Sequence, residues 1–293
     1  MKEISSVPTR GLQIALTSDG ARKFIGLSPL ENRTRRIATV SAFAALYAAL
    51  RFIPFSVVIG SPGAFFSFSD FLPLLYGILL GPYLGVLSVA IGTYVSFALA
   101  RPPIFPEFLP FEFLPAAVNV LIVGFIFSRK KRNSILIFSL ILLAFGLHPF
   151  TLHLVPISTF GTSITFPFYW LHLVAIVLLA SPLVDKFVKR FRGKQTGTLL
   201  SGMILFAFIG TMSQHITGAF LTEISKGNIA RVLDLQGFSA LWRIVFVAYP
   251  FERAIITLAS ALLGAAVLRS LNTTFFKQDI ETNKPHDDLR RNK

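Results

Sequence analysis

The sequence contains no cysteine, which excludes disulfides, thiolate nucleophiles and thiolate metal ligands. Charge is also scarce, because only 14% of the 293 residues are Asp, Glu, Lys or Arg. The chain leaves no room for a separate catalytic domain beside its long apolar segments. If ATP hydrolysis drives this protein, the ATPase is therefore a different chain.

Several functional motifs are missing as well. The sequence has neither the H-E-x-x-H of zinc proteases nor the G-x-S-x-G of serine hydrolases, and no ion-filter motif. It also shows no internal repeat of the kind common in secondary transporters. We predict that the chain is not an enzyme and takes no cofactor and no metal. An intramembrane enzyme acting on lipid and a self-sufficient carrier are the alternatives.

Apolar residues dominate what is present: 53% of the chain is hydrophobic, and phenylalanine alone occurs 31 times. Many apolar segments approach the roughly 20 residues that cross about 30 Å of hydrocarbon. We predict an all-α, polytopic transmembrane bundle of about eight spans, the second of which needs Phe65, Phe66 and Phe68 to cross. The spans are predicted at 37–58, 65–81, 83–100, 113–128, 135–157, 167–188, 198–221 and 250–270. Residues 238–247 either form an interfacial helix or extend the last span.

The net charge of +14 lies in short basic runs between apolar segments, which is typical of the positive-inside rule rather than of nucleic-acid binding. The runs begin at Arg33, Arg129 and Lys186, so every second loop is basic apart from a tight Gly81-Pro82 turn. The other loops hold few cations, and we expect acids such as Glu112 and Glu223 to offset them. We predict a multi-pass protein of the cell membrane with both termini cytoplasmic: an arm at 1–35, a membrane domain at 36–271 and a polar tail at 272–293.

Polar side chains concentrate in the outward halves of the predicted spans. An ionisable group at membrane depth costs at least a few kcal/mol unless it is paired or hydrated, so several at similar depth indicate a shared wet cavity. The alternative is that Glu252 and Arg253 pair with loop charges while Arg51 and His172 snorkel to the interface. The residues concerned are Arg51, Asp70, Tyr94, Asn119, His148, His153, His172, Gln214, His215, Glu252 and Arg253. The histidines could also converge on a metal ion.

Two patterns of small residues stand out near the predicted cytoplasmic face. Ala38, Ala42, Ala45 and Ala49 share one face of the first helix, where they allow another helix to approach closely. That helix is either part of the same chain or part of a partner subunit. Glycines at 77, 81 and 85 surround the tight turn, where they permit both the turn and close helix contact.

With these features the sequence resembles a known family, the substrate-binding S components of energy-coupling factor (ECF) vitamin transporters. The stretches that carry the resemblance are RRIATVSAFAALYAAL, SDFLPLLYGILLGPYLGVLSVAIGTYVSFAL and FLPAAVNVLIVGFIFSRKKR. It is strongest from about Arg35 to Arg132 and weaker at LLSGMILFAFIGTMSQHITGAF and YPFERAIITLASALLGAAVL. The family usually has six spans, so residues 133–194 read as an extra hairpin on that core.

The resemblance implies a membrane-embedded subunit that captures a vitamin-like small molecule from outside. It also implies two kinds of partner, a transmembrane coupling subunit and cytoplasmic ATPases, with the alanine face as the docking surface. The family builds its pocket from the outer ends of its last three helices and nearby loops. The resemblance therefore favours five residues as substrate contacts: Asn119, Gln214, His215, Glu252 and Arg253. Further candidates are Arg51, Trp170 and Trp242. Both tryptophans could instead belong to an interfacial aromatic belt.

Overall fold

The computed structural model describes residues 33–57, 65–99, 111–159, 162–192 and 199–282. All but the end of the predicted N-terminal arm lies outside these ranges. Within them the chain folds into nine α-helices and two β-hairpins. The helices are α1 (Arg33–Leu50), α2 (Pro73–Leu79), α3 (Gly81–Ala98), α4 (Leu114–Phe127), α5 (Lys131–Gly146), α6 (Trp170–Ala180), α7 (Pro182–Arg192), α8 (Leu199–Thr222) and α9 (Leu235–Thr282). The strands are β1 (Pro54–Val57), β2 (Phe65–Ser67), β3 (Leu154–Thr159) and β4 (Thr162–Pro167).

The predicted class, a polytopic helical membrane bundle, is confirmed. Three helices in the described part of the chain are long and apolar enough to cross a membrane alone: α3, α8 with its π-helical extension to Ile229, and α9 as far as Ser270. The pair α6 and α7 passes the same test jointly, although it bends by 62° at the break between them. Most of α1 and all of α4 are shorter apolar helices.

Helix α8 lies at the centre of the bundle. It packs against α4 and α9 and also contacts α5, α6 and α7. Most of its side chains are buried, from Gly202 to Thr222. The buried set includes the polar side chains of Ser213, Gln214 and Thr217, which would be costly to expose to lipid. The remaining helices form a second group, in which α1 packs on α3 while α2 and α3 pack on α4.

The turn between α2 and α3 is fixed by two glycines. Gly81 adopts a φ of 76°, a conformation that residues with a side chain rarely take. Gly124 of α4 lies directly against this turn, since a Cβ placed on it would be 2.5 Å from the Pro82 nitrogen. The tight turn predicted at Gly81-Pro82 is therefore present, and helix α4 seals it.

Both β-hairpins lie at one end of the bundle, which we call the hairpin end. The first hairpin follows α1, and the second joins α5 to α6 through six residue pairs from Leu154–Pro167 to Thr159–Thr162.

At the opposite end, which we call the basic end, Lys131 Nζ lies 3.1 Å from the carbonyl oxygen of Ser181 and 2.6 Å from Oδ2 of Asp185. This cation stabilises the carbonyl-rich C-terminus of α6.

The second predicted span, 65–81, is wrong. Its first part is strand β2 followed by a 3₁₀ turn, Phe68–Phe71, and only Pro73–Leu79 is α-helical. A seven-residue helix is about 10 Å long, too short to cross the hydrocarbon. All residues from Phe71 to Leu80 are buried, so the apolar run packs inside the protein instead of facing lipid.

Three other predicted boundaries change for identifiable reasons. The span predicted at 135–157 ends at Gly146, because Pro149 disfavours helix at the residue before it and the chain then enters β3. The span predicted at 167–188 breaks at Ser181, which precedes Pro182. Residues 238–247 extend the last helix, which runs through Pro250 and continues beyond residue 271. A proline inside a membrane helix is tolerated where neighbouring groups satisfy the freed carbonyl.

We expect Gly124→Ala to lower the free energy of unfolding by about 1–3 kcal/mol, because the new methyl group would collide with backbone atoms that cannot move aside. Unfolding of the purified protein in mixed detergent micelles would measure this change. Gly146→Ala is the matched control, since a Cβ there meets nothing within 4 Å. Equal effects of the two substitutions would contradict the close packing of α4 on the turn.

Candidate functional site

A chain of buried side-chain hydrogen bonds crosses the bundle near the hairpin end. Asn119 Nδ2 donates to Gln214 Oε1 over 2.9 Å, and Gln214 Nε2 donates to Asp70 Oδ1 over 2.9 Å. Asp70 in turn accepts the backbone N–H of Ser67 at 3.0 Å. The chain thus connects α4, α8 and the turn before α2. Asn119 and Gln214, two of the predicted contacts, are brought together.

Local sequence explains why these groups meet. Asp70 occupies the third position of a capping box that begins at Ser67, so its carboxylate is fixed at the start of the 3₁₀ turn. Gln214 reaches it because α8 is central. Asn119 packs against Gly210, where a Cβ would come 2.1 Å from Asn119 Oδ1. Any side chain at position 210 would require the Asn119 amide to move.

Arg253 and Glu252 lie on α9 beside this chain. The Arg253 guanidinium is buried and covers the ring of Phe66, with its central carbon 5.0 Å from the ring centroid. Glu252 Oε2 is 3.8 Å from Arg253 Nη2, too far for a hydrogen bond. Asp70 and Glu252 both interact electrostatically with Arg253. The predicted pair therefore faces the bundle interior and the first hairpin.

His215 points to the other side of α8. Its Nδ1 lies 2.9 Å from Nε2 of His172 on α6, and its ring stacks on Tyr249 of α9 with centroids 4.7 Å apart. Tyr249 also donates its hydroxyl to the carbonyl of Phe168. The rings of His172, His215 and Tyr249 lie nearly parallel to one another between α6, α8 and α9. His172 is buried, so it does not snorkel to an interface.

Arg51 follows the end of α1 and makes a buried ion pair. Its guanidinium bonds the carboxylate of Glu112, and its Nε donates to Ser96 Oγ over 2.9 Å. Both side chains of the ion pair are 4% exposed. Arg51 therefore does not snorkel either, and the pair joins the ends of α1 and α3 to the segment before α4.

Glu223 forms a second polar cluster that the sequence did not reveal. It lies in a π-helical segment, Glu223–Ile229, that directly continues α8. Thr151 Oγ1 and Trp242 Nε1 each donate to its carboxylate at 3.0 Å, and His148 Nδ1 lies 3.0 Å from Oε2. Burial lowers the pKa of His148, which favours the neutral imidazole at this contact. The cluster attaches the segment after α5 to the junction of α8 and α9.

The two tryptophans have different environments. Trp242 is buried, and besides Glu223 it donates to the carbonyl oxygen of Phe150 at 3.2 Å. Trp170, the first residue of α6, is 37% exposed. Neither ring contacts the chain of Asp70, Gln214 and Asn119 through any described aromatic or hydrogen-bond contact.

The predicted alanine face of α1 is exposed. Ala38, Ala42, Ala45 and Ala49 all lie on the outer side of the helix, whereas Val40, Ala44, Tyr47 and Ala48 are buried. The buried face packs on α3, where Gly92 lies against Ala44 and Tyr47. Among the described residues, the alanine face thus has no helix of the same chain packed over it.

Besides the imidazole nitrogens His148 Nδ1 and His172 Nδ1, five buried polar atoms near these clusters have no hydrogen-bond partner among the described residues. They come from α3, α4, α8 and α9. The atoms are Thr93 Oγ1, Asn119 Oδ1, Thr211 Oγ1, Arg253 Nε and Thr257 Oγ1. Buried polar groups are nearly always paired, so each unpaired one needs an explanation such as a water or a ligand.

The histidines do not converge. His172 meets His215, but His148 contacts Glu223 and His153 lies against the ring of Tyr169. Across the described ranges, no group of three or more His, Asp or Glu side chains has the spacing of a metal site.

Comparison with known proteins bears on the first part of this fold. Residues 35–155 match the model of the family named ECF transporter, substrate-specific component. The resemblance seen in the sequence is therefore confirmed over α1 to α5 and the start of β3. ECF S components are subunits of transporters. The match covers less than half of the chain, and the site residues on α6, α8 and α9 lie outside it. No curated protein and no solved structure matches.

Trp242→Phe tests the second cluster. Loss of the indole N–H leaves Glu223 with one fewer donor in a buried position, so we expect a loss of about 1–3 kcal/mol in the free energy of unfolding. Trp170→Phe is the matched control at the same end of the bundle, and we expect a change within about 0.5 kcal/mol for this partly exposed side chain. The assay is thermal unfolding in detergent. A neutral Trp242→Phe variant would show that the hydrogen bond contributes nothing.

Proposed function

We propose that this protein is the membrane-embedded substrate-binding subunit of an ATP-driven importer for a vitamin-like small molecule. The observation that carries the proposal is the buried polar chain from Asp70 through Gln214 to Asn119, beside an incompletely paired Arg253, in a chain whose first part matches the S-component family. Buried polar groups with spare donors and acceptors are what a small-molecule site requires.

We further propose that the hairpin end faces outward. The basic residues at 129–132 and 186–192 lie at the opposite end, beside the junctions of α4 with α5 and of α6 with α7. The positive-inside rule assigns such an end to the cytoplasm. Solute would then enter from outside, between the first hairpin and the ends of α4, α8 and α9.

The exposed alanine face of α1 supports a docking role. Small side chains allow two helices to approach closely, and close packing is a main source of association within lipid. We propose that a transmembrane coupling subunit packs on this face and that separate cytoplasmic ATPases supply the energy.

Native mass spectrometry of the detergent-purified chain tests capture directly. A discrete, stoichiometric, non-lipid adduct retained through purification is the expected result, and its mass would restrict the identity of the solute. Retention of lipid alone, combined with lipid turnover by the purified chain, would replace the proposal with an intramembrane enzyme. Solute uptake into vesicles that contain only this protein would replace it with a self-sufficient carrier.

Gln214→Leu should reduce the retained solute by about tenfold or more, because one lost hydrogen bond to a charged or buried group is worth about 1.5–3 kcal/mol and each 1.4 kcal/mol is tenfold in affinity. Gln236→Leu is the control, since Gln236 is exposed near the start of α9. Equal retention by both variants would remove Gln214 from the binding site.

Leucine at both Ala38 and Ala42 should abolish uptake in cells that carry the whole transporter, while leaving solute retention by the isolated chain unchanged. The bulky side chains would hold a partner helix away from α1 without touching the site. Leucine at both Ala180 and Ala266, which are exposed on α6 and α9, controls for added bulk. Loss of retention in the Ala38 and Ala42 variant would instead make this face part of the fold's own packing.

A further inference from the structure

The charges around Arg253 constrain what the proposed site can hold. Arg253 is 2% exposed, and its Nε has no hydrogen-bond partner among the described residues. The carboxylate of Glu252 stays 3.8 Å away, beyond hydrogen-bond distance. A buried guanidinium presents five N–H donors in a rigid fork that matches a carboxylate. The buried guanidinium therefore has at least one N–H donor, at Nε, left for a further acceptor.

A simple anion does not suit the surroundings. Asp70 and Glu252 both act electrostatically on Arg253 and on one another, so two carboxylates already surround one guanidinium. A solute that carried only negative charge would be repelled by both. A solute with a cationic nitrogen beside its carboxylate would satisfy Arg253 and the two acids together, because opposite charges at short range are strongly favoured where water is excluded.

Acceptors for a cationic nitrogen are present nearby. Asn119 Oδ1 is buried without a partner among the described residues, although its amide nitrogen bonds Gln214. The unpaired hydroxyl oxygen of Thr257 lies one helical turn beyond Arg253 on α9, and that of Thr211 lies one turn before Gln214 on α8. These atoms are unpaired buried acceptors on α4, α8 and α9, the helices that carry Asn119, Gln214 and Arg253.

The apolar side of the site is aromatic. Phe66, over which Arg253 lies, belongs to a group of rings in and after the first hairpin that also contains Phe55, Phe68 and Phe71. The centroid separations of Phe55 from the other three rings run from 4.9 to 6.4 Å. Such a group provides an apolar wall for the body of a solute whose charged end reaches Arg253.

We propose that the site binds a small zwitterion of the amino-acid type, with its carboxylate on Arg253 and its cationic nitrogen between Asp70 and Glu252. This inference rests on the proposed function, because it assigns a substrate class to the same site. The apolar body of the zwitterion packs against the rings of the first hairpin.

A panel of matched compounds tests the charge requirement on the unmodified full chain in detergent. L-Phenylalanine, L-tryptophan and L-leucine are the zwitterions, their amides keep only the positive charge, and their N-acetyl derivatives keep only the negative charge. At millimolar concentration, at least one zwitterion should raise the thermal unfolding midpoint by several degrees, since a ligand that binds only the folded state stabilises it. Its amide and N-acetyl derivative should cause no shift.

Two variants assign the response to the site. Arg253→Gln should remove the shift caused by the active zwitterion, with Arg243→Gln, an exposed arginine on the same helix, as the control. Glu252→Gln changes a partly exposed side chain. It should raise the zwitterion concentration needed for the same shift by about tenfold, since a charge interaction of about 1.4 kcal/mol corresponds to a factor of ten. This second variant keeps the test valid if the Arg253 variant does not fold.

Several outcomes would overturn the inference. A shift caused equally by the N-acetyl derivative would make the solute an anion, and a shift by the amide would make it a cation. The absence of a shift with every zwitterion would overturn the assignment of an amino-acid-type zwitterion to this site. If native mass spectrometry nevertheless finds a retained, uncharged or singly charged solute, the capture function stands and only the zwitterion class is wrong.

Discussion

The side-chain amide of Gln214 is the interaction on which the hairpin end depends. It accepts from Asn119 and donates to Asp70, so one residue of the central helix connects α4 with the turn that precedes α2. Amides can donate and accept at once, so this one side chain serves both neighbours. In a bundle with so little charge, a buried polar connection of this kind fixes one arrangement of helices, because a shift would leave each group unpaired.

Much of the fold could be predicted from hydrophobicity. The parts that could not be predicted depend on contacts that hydrophobicity does not describe. The helices at 81–98, 114–127 and 199–222 fall close to their predicted spans because long apolar runs with few breaks leave no alternative in lipid. Apolar composition alone does not distinguish a lipid-facing helix from a buried one, and Phe65–Leu80 shows the difficulty. The segment divides into a strand, a 3₁₀ turn and a short buried helix, and its phenylalanines all fall in the strand and the turn. Local turn chemistry at Ser67 and Asp70 decides this structure.

The sequence allowed candidate site residues to be selected, but it did not show which of them contact one another. Asn119, Gln214, Glu252 and Arg253 were selected for their positions within the predicted spans, and the structure joins Asn119 to Gln214 and Glu252 to Arg253. Glu112 and Glu223, by contrast, were expected to be loop acids that offset nearby cations. The structure buries both, one on Arg51 and the other under Trp242 and Thr151. Their roles depend on where non-adjacent segments meet, which linear spacing does not encode.

Helix α9 has a geometric consequence of its own. The apolar part alone, Leu235–Ser270, contains 36 residues. At 1.5 Å per residue it is about 54 Å long, whereas the hydrocarbon layer is about 30 Å thick. An upright helix of that length would extend well past both surfaces, so α9 either leans strongly or projects into water. In both cases Arg253 lies near the middle of the apolar part, so a tilt of a straight α9 about the site would displace both ends of the helix.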